Sequence, residues 1–165
     1  MSDILNKLKE PFPEKLIHWR VGATTKDKKS GIALAYVDAR DVMKRLDDVL
    51  GAENWKDSYV ISPPRNVRKT NPRNNRDQWM EEVNGTVICT LSIRVDDEWI
   101  SKSDGAGETQ VEADKGAISD AFKRAAVKWG PARYLYYLPT VWVELDSYRN
   151  IITPPKLPKW ALPKE

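Results

Sequence analysis

The chain has 165 residues, 41% hydrophobic and 31% charged, enough for one domain with its own core. A single cysteine, Cys89, excludes an internal disulfide and a cysteine-based zinc cluster and fits a reducing compartment. A single histidine, His18, excludes a histidine-rich metal site. There is no apolar run of membrane-spanning length and no signal-peptide hydrophobic region, so a cytoplasmic protein without metal or cofactor is expected. The net charge of +3 selects no partner by itself, so local placement of charge decides.

Ile4, Leu5 and Leu8 predict a short amphipathic helix ended by Pro11 and Pro13, which makes residues 1–13 an N-terminal helix and linker. Residues 16–21 read as a first strand, 22–31 as a flexible loop carrying Lys26, Lys28 and Lys29, and 32–37 as a second strand. Asp38 is placed to cap a helix whose Ala39, Val42, Met43, Leu46, Val49 and Leu50 form one apolar face, closed by Gly51. Residues 55–61 have strand character. In 86–95, Val87, Cys89, Leu91, Ile93 and Val95 alternate with polar residues, the pattern of a half-buried strand. Asp96-Asp97 is a tight turn into 98–104, and Gly105-Ala106-Gly107 a second turn into a long helix, 108–130.

In that helix Val111, Ile118, Ala121, Phe122, Ala125 and Trp129 recur with the period of a buried face. Lys123 and Arg124 straddle the opposite side, with Asp120, Val127 and Gly116 between them, and Gly130-Pro131 stops the helix. The expected architecture is α+β: an antiparallel β-meander packed by a long helix, within a domain spanning 14–152. Residues 62–82 form an insert far longer than a hairpin needs, with Arg65, Arg68, Lys69, Arg73 and Arg76 against Asp77, Glu81 and Glu82. Residues 153–165 repeat Pro and Lys around Trp160 and read as an extended tail.

Two readings stand for Lys123-Arg124. One is a solvated face on which Asp120 pairs with both, each pair worth about 0.2–0.5 kcal/mol. The other is a phosphate-tracking face, with Gly116 permitting close approach of a backbone. The insert divides the same way, between a solubilising charge run and an arm that collects nucleic acid. Of the seven tryptophans, Trp55, Trp99 and Trp129 fall on inward positions by periodicity; Trp79, Tyr134, Tyr136 and Tyr137 are freer to stack on bases. Ser103–Thr109 resembles an anion-binding turn opening a helix, but lacks the Gly-Lys-[Ser/Thr] ending of a P-loop, so ATPase activity is not expected. Asp96, Asp97 and Glu98 read as a charged turn, with a metal-dependent nuclease site as the alternative. His18 has no partner at a hydrolase spacing.

Several motifs in order resemble the Rad-fifty-two family of single-strand annealing proteins, and by size its Sak-type phage and bacterial members. They are Tyr36-Val-Asp-Ala-Arg-Asp-Val42, Leu50-Gly-Ala-Glu-Asn-Trp55, Ile93-Arg-Val95, Gly105-Ala-Gly107, and Asp120-Ala-Phe-Lys-Arg-Ala125 with Trp129-Gly130. The resemblance covers roughly residues 14–135 and implies a non-enzymatic, ATP-independent annealer. That annealer is a ring-shaped homo-oligomer holding single-stranded DNA in an outer basic groove. It implies DNA contacts at Arg20, Lys123 and Arg124, with Lys115 as a helper. Lys128 stands next to Val127, which replaces a third basic residue of the pattern. A phage exonuclease or a single-strand binding protein is a candidate partner, and a passive strand protector is the neighbouring alternative. The long C-terminal region by which larger members recruit a recombinase has no counterpart here, so mediator activity is not expected.

Overall fold

The computed structural model describes residues 2–83, 85–107 and 113–164, with the side chains of 2 and 113–115 outside that description. The chain up to Glu53 and the chain from Ala126 onward form one unit; Asn54–Ala125 forms the other. Helices are interspersed among strands that pair only antiparallel, so the class is α+β. Among the described residues no helix is long and apolar enough to cross a membrane.

In the first unit, α1 (Ser2–Lys9) packs against α2 (Ala39–Leu50), and β1 (His18–Thr24), β2 (Ser30–Tyr36) and β8 (Trp142–Glu144) form an antiparallel sheet in the order β1-β2-β8. Leu8, Phe12, Val42 and Leu46 are buried in its core. The strands run differently from the sequence expectation. β1 continues to Thr24 through a register shift between Val21 and Thr24, and Gly22 within it lies so close to Leu34 that a Cβ there would stand 2.8 Å from its Cδ1. Asp38 occupies the cap position of α2 in extended conformation, but its carboxylate makes no capping hydrogen bond; it faces His18. Gly130 has φ +132 and sits against α1, where a Cβ would meet Lys9 Cγ at 2.7 Å, so the expected helix stop also serves packing.

In the second unit, β3 (Trp55–Ser62), β6 (Thr86–Val95) and β7 (Glu98–Gly107) form an antiparallel sheet in that order. Val87, Cys89, Leu91 and Ile93 of β6 are buried, as their alternation requires. The insert is not an irregular loop: β4 (Arg65–Thr70) and β5 (Gln78–Val83) pair over six residues into a separate two-stranded ribbon. Helix α3 (Ala113–Val127) buries Ala117, Ala121, Phe122 and Ala125, and Phe122 meets Trp55 with ring centroids 6.1 Å apart. Ile118 is only half-buried, and the expected helical start at 108–112, Val111 included, lies outside the described residues.

Two expectations fail in this sheet for the same reason. Asp96 and Asp97 take left-handed conformations (φ 50 and 65) in a two-residue turn that fixes the β6–β7 register. That register pairs Gly105, Ala106 and Gly107 with Ile88, Val87 and Thr86, so the glycine-rich segment is strand and not the expected turn. It also sets Trp99 opposite Arg94 on the wet face, 42% exposed, with Lys56 Nζ 4.3 Å from its ring centroid.

Candidate nucleic-acid interface

The core-facing stripe of α3 sets where its cations point. Lys123 is half-buried and Arg124 exposed, on the side away from Ala121, Ala125 and Phe122. Arg124 is held by tertiary structure and not by Asp120: its Nε and Nη2 donate to Asp104 Oδ1 of β7 at 3.3 and 3.2 Å. The same oxygen accepts the Gly105 N–H at 2.8 Å. One carboxylate oxygen thus fixes the guanidinium against the sheet, and a guanidinium has five donors. Lys115 lies on α3 with its side chain outside the described residues; Lys128, exposed, follows the helix in the first unit.

Arg20 is exposed on β1, opposite Leu34, and forms no ion pair among the described residues. It shares a strand face with His18, whose ring lies tilted 5.4 Å from Tyr36 and whose Nε2 is 3.4 Å from Asp38 Oδ2. Arg65, Arg68, Lys69, Arg73 and Arg76 are all exposed and all on the ribbon. The structure therefore gathers five predicted cations on one hairpin, ties Arg124 to β7, and puts Arg20 and Lys128 in the first unit.

Other candidates change role. Asp97 Oδ1 accepts from Arg94 Nη2 at 2.7 Å, which gives that carboxylate a local role in the turn. Tyr134 accepts the Phe12 N–H at 2.9 Å on its hydroxyl and is anchored, whereas Trp79, Tyr136 and Tyr137 are exposed. Cys89 is buried, and desolvation raises its pKa to about 11, so it carries no reactive thiolate.

Residues 1–151 match the family model described as Rad52/22 family double-strand break repair protein. The chain belongs to the Rad52/22 family. It is also similar to two proteins named single-stranded DNA-binding protein DdrA. The first, from Deinococcus deserti, is 36% identical over 99% of this chain and 72% of its own length. The second, from Deinococcus radiodurans, is 34% identical over 99% of this chain and 69% of its own length.

Three groups in this Rad52/22 chain escaped the sequence reading. Arg45 Nη1 donates to Glu10 O at 2.8 Å and Lys7 O at 3.3 Å, and its guanidinium lies 4.1 Å from the Phe12 ring centroid. Desolvation lowers its pKa, opposed by the nearby Glu10. Arg133 donates to Val127 O at 2.8 Å and Lys128 O at 2.6 Å, satisfying carbonyls at the end of α3. His18, Asp38 and Asp41 form the one group of three ligand-type side chains that converges among the described residues, within 4.8 Å. The group has a structural account, since its two carboxylates stand at the positive end of α2 and one pairs with His18. A helix-ending arginine just past Gly-Pro was the only one of these signals visible in sequence.

Proposed function

We propose that this chain binds single-stranded DNA through its exposed cations and anneals complementary strands without ATP, in recombination and repair. The observation that carries the reading is the Rad52/22 match over residues 1–151, supported by two relatives named as single-stranded DNA-binding proteins. Arg20, Lys115, Lys123, Arg124 and Lys128 supply the main backbone contacts, and Arg65, Arg68, Lys69, Arg73 and Arg76 capture the strand. Neutralising phosphates removes strand–strand repulsion, while bases left exposed select the complement. The protein acts as a homo-oligomeric ring in the cytoplasm of a bacterial or phage-infected cell, beside an exonuclease or single-strand binding protein, and catalyses no bond cleavage.

Two labelled complementary oligonucleotides test the reading: the protein should accelerate duplex formation. The relatives' names favour one second reading, a passive strand protector, which would slow the same reaction. Lys123→Ala with Arg124→Ala should leave the particle mass unchanged in mass photometry. It should weaken strand binding at moderate salt by more than about tenfold, as expected when two phosphate contacts are lost. Unchanged anisotropy titrations for that variant would reject the α3 assignment.

A further inference from the structure

The β4–β5 ribbon carries more than charge. In an antiparallel pair, residues directly opposite point to the same face. The register therefore sets Lys69 beside Trp79, with Val67 and Glu81 next on that face, while Arg68 pairs with Met80 on the other. Trp79 is 47% exposed on a two-stranded sheet whose faces hold only Val67 and Val83 half-buried.

The tip is ordered as well. Asn71 N–H donates to Asp77 O at 2.9 Å and Asn74 Nδ2 to Asp77 Oδ2 at 2.6 Å. Arg73 N–H donates to Asn71 Oδ1 at 2.9 Å, and Arg76 N–H to Asn74 Oδ1 at 3.1 Å. These bonds hold the tip backbone from which Arg73 and Arg76 project. Charge is graded along the ribbon. The distal half has Arg68, Lys69, Arg73 and Arg76 against Asp77, and the base has Arg65 against Glu81 and Glu82.

We propose that Trp79 stacks on an unpaired nucleobase while Lys69 and the distal arginines hold the flanking phosphates, so that the ribbon distinguishes single strands from duplex. The inference rests on the strand-binding reading above and adds a base-dependent element to it. A polyanion answers the cations, and only one with unpaired planar rings also covers a tryptophan face; paired bases already stack on each other. An acidic protein surface would satisfy the charge and leave the ring wet. A second copy docked ribbon to ribbon would bring four like cations against these four.

The test uses the full chain, a labelled oligo-dT, and an abasic phosphodiester strand of equal length, in anisotropy titrations at one salt concentration. Wild type should bind oligo-dT more tightly than the abasic strand. Trp79→Ala should lose about 5- to 100-fold on oligo-dT and less than about twofold on the abasic strand, because only the stacking contribution is removed. Trp79→Phe should retain most of the preference, and mass photometry of Trp79→Ala should show the wild-type mass. Equal losses on both strands, no loss on oligo-dT, or a changed particle mass, which would mean that a second copy covers the ring, each overturns the assignment. Wild type failing to bind either strand would overturn the strand-binding reading and this one together; normal wild-type binding with an indifferent Trp79→Ala would overturn this one alone.

Discussion

Strands β6 and β4 lie in the same unit and differ in what their faces meet. β6 sits between β3 and β7, with Cys89 and Leu91 wholly buried and Ile93 almost so, while its other face is largely polar. β4 has one partner strand, and every residue of it except Val67 is exposed. Both are regular and hydrogen-bonded, so regularity is not what separates them. A central strand is held by apolar burial on one face and pairing on both edges. A lone ribbon, marginal in isolation, keeps its side chains available for a ligand.

The sharpest way to break this contrast is to cut into the packed side. Phe122→Ala removes a fully buried ring from α3 and should cost about 3–5 kcal/mol, read as a large fall in denaturant midpoint. A loss under about 1 kcal/mol would mean that α3 does not hold the sheet as described. Next comes the ribbon's charge. Replacing Arg68, Lys69, Arg73 and Arg76 together by Ala should leave the midpoint nearly unchanged and flatten the dependence of log affinity on log salt by about 0.7 per lost phosphate contact. An unaltered salt slope would remove these cations from the interface.

Cys89 reports on the packed side without mutation. Its folded pKa, about 11, is raised above the ordinary 9.0 by burial, so the folded state favours the protonated thiol. That contribution is fully present below pH 9 and is lost as pH rises from about 9 toward about 11. Alkylation near pH 8 should accordingly wait on unfolding, and fast labelling of native protein would contradict the burial. The smallest effect is expected at Met80→Ala, an exposed ribbon position, where stability should move by less than about 0.5 kcal/mol in a thermal melt.

Particular residues show where sequence reasoning succeeded. The alternation in 86–95 and the stripe Ala121, Phe122, Ala125, Trp129 describe the observed buried faces, because period 2 and period 3.6 are properties of a local backbone. Asp38 has the right residue type at the right position, yet its carboxylate faces a histidine of β1. Trp99 and Gly105–107 were misplaced because their environment depends on how β7 registers against β6. Arg124 was identified as exposed, but its partner, Asp104, is twenty residues earlier in the chain.

The amino-acid sequence alone determined which segments form the buried strand and helix faces, where α2 stops, and that Arg124 stands on the solvent side. Each of these depends on residues within a few turns of one another. Tertiary structure decided that the 62–82 insert pairs into a ribbon, that Arg124 is braced by β7, and that Trp79 shares a face with Lys69. Those outcomes arise from strand pairing and side-chain contacts between distant positions, and short-range periodicity carries no record of them.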